Sequence, residues 1–311
     1  MTHPMYEKLT AIAQGSEAVE QTVAYLAAKI KRFLKRQERV LICFPNQKQG
    51  SLGWLLEHAV RRAEGIPLVW GPDYRWKALL RQAFASRATV IIGAPLVILG
   101  LTKLAKVTGT PLFLHHIVTA CYPCADWMID GIQKGLDCQT WGVYDPGVDA
   151  LICGFSCGLS RGVHLRDDAF SVEITDREGN LLPTGQIGNV VMRPKADPAV
   201  RFSTPEFARL EAAPCPCGCN SPRLMDIHYG DELDPALAAL SEELLSWTSV
   251  LDCRLRRGDW GLEMEIVVFP GEKLPTLPSC AKQIVRLWEP DKDMPFRLRH
   301  SWKQTYYSWD P

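Results

Sequence analysis

The sequence predicts an α/β fold: a parallel β-sheet with helices on both faces and an antiparallel β part, followed by a small α+β domain. Three observations lead to this prediction. Short apolar runs alternate with amphipathic helical segments through the first half of the chain. Two strand-like segments joined by a turn-rich loop come next. Beyond residue 230 the composition changes again, and a helical segment precedes two further apolar runs.

The first half contains four predicted strands, each short and apolar enough to be buried on both faces of a sheet. They cover residues 39–44, 66–70, 88–93 and 111–118. A helix is predicted after Ser16, because apolar residues recur there at helical spacing from Val19 to Phe33. Further helices are predicted for residues 51–65, 73–87 with Asp73 as the cap, 95–109 and 123–135.

The second half changes from strand–helix alternation to paired strands. Residues 171–176 and 188–193 are predicted to form two strands around the turn-rich loop. The last part is predicted to contain helices at 235–247 and 279–288 and strands at 249–256 and 262–269, followed by a last short strand. We therefore predict an N-terminal domain at 1–228 and a small C-terminal domain at 229–311.

The charge balance excludes partners that are recognised by bulk charge. The 311 residues include 35 Lys and Arg and 35 Asp and Glu, which give a formal net charge of zero. Neither a nucleic acid nor a membrane surface is expected to bind such a chain strongly. The basic runs at 29–36 and 254–257 are interpreted as solvated faces. Because eleven cysteines occur without a signal peptide at the N-terminus, we predict a reducing, cytoplasmic location.

Five of the eleven cysteines and one histidine lie between Cys153 and Cys219. Cys153 and Cys157 belong to CGFSCGLSRGVH, which ends at His164, and the other three cysteines belong to PCPCGCNSPR. Thiolate and imidazole are the ligands that zinc prefers, and a closed set of four is typical of a structural site. The alternative is a group of reduced cysteines packed as small apolar residues. Pro and Gly place these thiols in turns, which favours the metal.

From residue 39 onward the chain resembles the phenylacetate–CoA ligase branch of the adenylate-forming (AMP-binding) enzymes. The resemblance depends on the order of several segments: SLGWLLEHAVRRAEGIPLVWG, ATVIIGAPLVILGLTKLAK, VHLRDDAFSVEITDREGNLLPTGQIGNVVMRP and RFSTPEFARLEAAPCPCGCNSPRL. The last two are similar to the family's G-x-H…D…E-x-x-D…G run and to its R-Y-R-T-G-D-L and C-x-C-G elements. The resemblance implies an adenylate-forming-type fold whose N-terminal part is missing.

The resemblance also implies a structural zinc site. Members of this branch hold zinc with one Cys, one His and the two Cys of the C-x-C-G element. Matched by position, these ligands are His164, Cys215 and Cys217, with either Cys157 or Cys153 as the fourth. Cys219 lies beyond the matched element.

Activity in this family is ATP-dependent adenylation of a carboxylic acid, followed by transfer of the acyl group to CoA. The matching positions imply that Gly142, Tyr144 and Asp145 contact the nucleotide, with Asp145 near Mg²⁺, and that Glu206 holds the ribose. Lys303 is the weakest match, to the catalytic lysine. The Thr- and Gly-rich loop that holds the phosphates is not found, and LTAIAQGS stands in its place. We therefore expect the sequence to begin after that loop.

Three functional hypotheses follow. The chain is a divergent acid–CoA ligase, weak or inactive alone because the phosphate loop is absent. Alternatively, it is a zinc-stabilised pseudoenzyme or partner subunit that binds a partner protein, a second copy or a small aromatic ligand without turnover, whereas the first hypothesis needs a small carboxylic acid. The third hypothesis is a thiol redox or metal-handling protein, since Cys121 and Cys124 have C-x-x-C spacing ahead of a predicted helix.

Overall fold

The computed structural model describes residues 4–71, 75–120, 124, 126–146, 151–159, 162–229, 235–258, 261–273, 276–277 and 282–289. The predicted helix cap Asp73 therefore lies outside the described residues, as do Cys121 and Lys303. No helix within these ranges is long and apolar enough to cross a membrane.

The N-terminal half forms a parallel sheet with helices on both faces, as predicted. Its elements are α1 Pro4–Gln14, α2 Ser16–Ile30, β1 Arg39–Ile42, α3 Leu52–Arg62, β2 Ile66–Val69, α4 Trp76–Ser86, β3 Val90–Gly93, α5 Pro95–Thr108, β4 His116–Thr119, α6 Asp126–Leu136 and β5 Gln139–Tyr144. The parallel strands lie in the order β2-β1-β3-β4-β5. The strand predicted at 111–118 begins only at His116, where pairing with β3 starts.

Alternation of side chains along the strands explains why helices cover both faces. Val40 and Ile42 of β1 point into a core with α2 and α3, whereas Leu41 between them points into a second core with α4 and α5. All three side chains are fully buried. Each face of the sheet is therefore apolar, and both faces need a helical layer to exclude water.

Antiparallel strands extend the same sheet beyond β5. They are β6 Gly154–Phe155, β7 Val163–Leu165, β8 Phe170–Thr175, β9 Ile187–Pro194, β10 Phe202–Glu211 and β11 Arg223–Tyr229. The complete sheet has eleven strands in the order β2-β1-β3-β4-β5-β6-β7-β11-β10-β9-β8. The two strands predicted around the turn-rich loop are confirmed as β8 and β9, which pair directly.

The last part of the chain is a small α+β unit with a sheet of its own. It contains α7 Pro235–Ser246, β12 Val250–Gly258, β13 Gly261–Val268 and β14 Lys282–Leu287. The prediction of a helix at 279–288 is wrong, because this segment pairs in parallel with β13 along six residues. Ile284 and Val285 are β-branched, which favours a strand. The backbone hydrogen bonds with β13 stabilise this strand more than the helical spacing of its apolar residues would stabilise a helix.

A buried lysine joins the small unit to the large sheet. Lys103 of α5 is 6% exposed, and its ammonium group donates to the carbonyl oxygens of Leu245 and Val250. Desolvation lowers the pKa of Lys103 to about 8, which the neighbouring Cys253 and Asp252 oppose. Leu251, Val267 and Phe269 also enter the core that contains α4 and α5. The domain boundary after residue 228 nevertheless stays a proposal, since residues 230–234 are not described.

Candidate metal centre and adjoining cavity

Four of the predicted metal ligands come together in one group. The ligand atoms of Cys157, His164, Cys215 and Cys217 all lie within 4.8 Å of one another. The sulfur atoms of Cys157 and Cys215 are 3.6 Å apart, and the sulfur of Cys217 is 3.3 Å from Nε2 of His164. Tetrahedral zinc with bonds of about 2.0–2.3 Å requires ligand separations of roughly 3.5–3.8 Å. The donor set is therefore one that zinc prefers, and these two separations lie close to the required range.

The β-sheet positions these ligands. His164 lies in β7, where it pairs with Phe155 of β6 and Arg223 of β11, and its side chain is buried. Cys157 lies just after β6, and the other two cysteines lie in the turn that joins β10 to β11. Nδ1 of His164 lies 3.3 Å from the carbonyl oxygen of Ser221. A proton on Nδ1 would donate to that carbonyl, which leaves Nε2 to face the metal.

Of the two candidates for the fourth ligand, one lies in this group. Cys157 belongs to the group, whereas the buried thiol of Cys153 lies outside it and donates to the carbonyl oxygen of Leu151. Cys219 also lies outside the group, and its backbone N–H is 3.4 Å from the sulfur of Cys217. Such a contact is typical of the hydrogen bonds that stabilise a thiolate.

A cavity of about 600 Å³ opens at the carboxyl ends of β4 and β5. Ligands of α/β proteins usually bind at this end of the strands. The described lining contains apolar and aromatic side chains, together with the carboxylates of Asp126 and Asp226, and no Lys or Arg. Asp226 accepts a hydrogen bond from Arg209, which neutralises part of its charge. The cavity therefore favours a ligand with an aromatic or apolar body.

The loop at residues 156–159 joins the metal group to the cavity. Ser156 binds β5 twice: its Oγ accepts from the N–H of Gly142 at 2.6 Å, and its own N–H donates to the carbonyl of Gly142. Gly158 has a φ of +71°, and a Cβ there would lie 3.2 Å from the Trp141 ring. Ser156 and Gly158 both line the cavity, and the metal ligand Cys157 lies between them.

The predicted nucleotide contacts divide into two groups. Gly142 and Tyr144 line the cavity, and their role as nucleotide contacts stays a prediction. Asp145 and Glu206 are 9% and 0% exposed and do not appear in its described lining. Their roles at Mg²⁺ and at the ribose stay predictions, and Glu206 can reach a ligand only if its surroundings open.

Glu206 belongs to a buried polar cluster that the sequence analysis did not identify. Desolvation raises its pKa to about 7, and hydroxyl groups of Thr204 and Tyr144 oppose the rise. Burial raises the pKa of the Cys153 thiol, and the charges of Asp145, Arg166 and Glu206 also act on this thiol, so all three groups lie near Cys153.

Arg166 is the unexpected member of this cluster. It is 5% exposed, donates to Oγ1 of Thr22 at 2.9 Å, and lies 5.1 Å from the Tyr25 ring centroid. Its sequence context, Arg166-Asp167-Asp168, is charged and gives no sign of burial.

Comparisons with known proteins support the fold. No protein-family model and no curated protein sequence matches the chain. Among solved structures, 2-hydroxyisobutyryl-CoA ligase in the postadenylation state with 2-HIB-AMP matches with a TM-score of 0.68 at 13% identity. That match covers 81% of this chain and 59% of the ligase, so the chain spans less than two thirds of that protein's length.

Two further solved structures match the fold of this chain. The amide bond synthetase McbA from Marinactinospora thermotolerans matches with a TM-score of 0.55 at 15% identity, over 89% of this chain and 65% of that protein. The anthranilate–CoA ligase AuaEII in complex with anthranoyl-AMP matches with a TM-score of 0.56 at 12% identity, over 85% and 59%. The chain therefore has the mixed α/β fold of the adenylate-forming enzymes.

We predict that the purified protein holds about one zinc ion and that Cys215→Ser combined with Cys217→Ser abolishes binding, because two of the four ligands are lost. At free zinc about 1,000 times the dissociation constant, the loss should lower the free energy of unfolding by about 4 kcal/mol. Elemental analysis and urea unfolding measure the two effects. Cys219→Ser is the matched control and should keep the metal. A wild type that contains no zinc and is no more stable than the double variant would contradict the assignment.

We predict that Glu206→Gln removes part of the pH dependence of stability. The pKa of Glu206 is raised from 4.5 to about 7 in the folded protein, so its stabilising contribution is full below pH 4.5 and is lost as the pH rises through 7. The wild type should lose up to about 3 kcal/mol relative to the variant over this range. Urea unfolding of both proteins between pH 5 and pH 8 provides the measurement. Parallel curves for the two proteins would show that this carboxyl is not perturbed.

Proposed function

We propose that this chain is a divergent, zinc-holding relative of the phenylacetate–CoA ligase branch, and that its cavity binds a small carboxylic acid and the nucleotide that activates it. The observation that carries the proposal is the adenylate-forming fold with Gly142 and Tyr144 in a cavity at the carboxyl edge of the sheet. The Cys₃His group beside that cavity matches the zinc site expected for this branch.

The ancestral reaction has two steps. A carboxylate oxygen attacks the α-phosphorus of ATP and pyrophosphate leaves; the sulfur of CoA then attacks the acyl carbon, and AMP leaves with the electrons of the broken bond. In both steps negative charge appears or shifts on phosphate oxygens. Cations normally stabilise such charge. The chain's own contribution would be to bind the adenylate against Trp141 and Tyr144.

Turnover by this chain alone is expected to be slow or absent. The charged side chains in the described lining of the cavity are Asp126 and Asp226, and neither carboxylate can stabilise the negative charge of a triphosphate. Mg²⁺ near Asp145, or residues outside the described ranges such as Lys303, would have to supply the missing positive charge.

The second candidate function is a zinc-stabilised pseudoenzyme that binds a ligand or a partner without turnover. The complete burial of Glu206 favours it, because a carboxylate at this position cannot hold a ribose without a rearrangement. The redox hypothesis rests on the spacing of Cys121 and Cys124 alone, and Cys121 lies outside the described residues. A cytoplasmic location remains part of the proposal.

Calorimetric titration of AMP into the zinc-loaded protein tests the proposal. We expect saturable binding that becomes at least about tenfold weaker in Ile129→Trp, which fills the cavity, because the ring would occupy the ligand's space. Lys134→Trp on the exposed face of the same helix is the matched control and should bind normally.

Two outcomes would change this account. If AMP does not bind at millimolar concentrations, the ligase hypothesis is contradicted and the pseudoenzyme hypothesis replaces it. Normal AMP affinity in Ile129→Trp would show that the nucleotide binds outside this cavity. Where AMP binds, release of pyrophosphate from ATP across a panel of carboxylic acids then measures whether any turnover remains.

A further inference from the structure

Two of the four metal ligands lie directly beside residues of the cavity wall. Cys157 stands between Ser156 and Gly158, which both line the cavity, and His164 follows Val163, which lines it as well. Successive residues of a strand point to opposite faces. In β7, therefore, His164 faces the metal group while Val163 faces the cavity, and the backbone of this strand separates the two sites.

The two remaining ligands, Cys215 and Cys217, belong to the turn that leads into β11. Two residues of that strand, Asp226 and Ile227, line the cavity as well. β11 also pairs with β7, the strand that contains His164. Each of the three segments that supply metal ligands therefore also supplies part of the cavity wall.

Backbone pairing alone holds this wall weakly. β6 contains two residues and β7 three, and β6 pairs with β5 and with β7 at two positions each. Such short ladders supply few hydrogen bonds, and an isolated two-stranded hairpin is at best marginally stable in water. Bonds from one metal to all three segments would add the restraint that the ladders lack. Removal of the metal should therefore loosen this wall before it loosens the longer ladder between β9 and β10.

Ser156 connects this wall to the parallel sheet. Its Oγ accepts a hydrogen bond from the N–H of Gly142 at 2.6 Å, and its own N–H donates to the carbonyl oxygen of Gly142 at 2.8 Å. Gly142 lies in β5 and lines the cavity, as do Trp141 and Val143 on either side of it. Because the metal ligand Cys157 is the next residue, a shift of this ligand would move the Ser156 hydroxyl away from β5.

We propose that binding of zinc to the Cys₃His group strengthens ligand binding in the cavity, and that Ser156 is the positioning residue that couples the two sites. The inference rests on the proposed function, because the ligand is the nucleotide proposed there for the cavity. Linkage makes the effect reciprocal: if zinc raises the affinity for AMP by some factor, AMP raises the affinity for zinc by the same factor. Metal occupancy would then regulate the cavity in addition to stabilising the fold.

Competition with a chelator measures the zinc affinity of the full chain with and without saturating AMP. We expect AMP to raise the zinc affinity of the wild type about tenfold, a common strength of coupling between two sites. In Ser156→Ala we expect AMP to leave the zinc affinity nearly unchanged, because the hydroxyl that binds Gly142 is lost while the four ligands remain. Ser171→Ala on the edge strand β8 is the matched control and should show the coupling of the wild type.

The coupling distinguishes a positioning role of Ser156 from simple contact with the nucleotide. A hydroxyl that only contacts AMP contributes equally to AMP affinity with and without zinc, so its loss would weaken AMP binding and leave the coupling intact. Ile129→Trp, which fills the cavity, corrects for any binding of zinc by free AMP. In this variant AMP should not change the zinc affinity of the protein.

Two results would overturn this inference while the proposed function stands. One is equal coupling in the wild type and in Ser156→Ala, and the other is a wild type that binds AMP but whose zinc affinity AMP does not change. If the wild type binds no AMP in the calorimetric titration, the proposed function fails and this inference fails with it. Calorimetry of AMP binding therefore separates the two failures.

Discussion

The convergence of three thiols and one imidazole on a single point is the constraint on which the site depends. Cys157, His164, Cys215 and Cys217 come from three different parts of the sheet, yet their ligand atoms lie within 4.8 Å. Three thiols and one imidazole are a donor set that zinc prefers, so the convergence supports the proposed metal site. A metal at this point would tie the loop after β6 to the turn between β10 and β11, so the antiparallel part would be cross-linked beside the parallel part.

That cross-link matters because the loop at residues 156–159 forms one wall of the cavity at the carboxyl ends of β4 and β5. Ser156 binds Gly142 through two hydrogen bonds, and Gly158 packs against Trp141, whose ring lines the cavity. The parallel sheet supplies the rigid support, because its central strands β1, β3 and β4 are buried on both faces. Lys103 extends this support to the small unit through its bonds to two backbone carbonyls.

The sequence predicted most of the fold, since apolar periodicity is a local signal, and the resemblance to the ligase branch pointed to His164, Cys215 and Cys217, which the fold brings together. It left Cys153 and Cys157 as alternatives, because only the pairing of β6 with β7 decides which thiol faces His164. It missed the strand at 282–287, which exists through its partner β13, and the burial of Arg166 and Glu206, which depends on long-range packing. The cavity has no sequence signal of its own, since residues distant in the chain form it.

Hydrogen exchange of the zinc-loaded and the chelated protein tests the central claim, that the metal stabilises the loop at residues 156–159, which forms one wall of the cavity. The account predicts faster amide exchange at Gly142 and at residues 156–159 when zinc is removed, and recovery when zinc is returned, because Cys157 anchors this loop. Strands β1 and β3, which lie away from the metal group, should keep their protection. Equal exchange at Gly142 and at the loop with and without zinc would contradict the account.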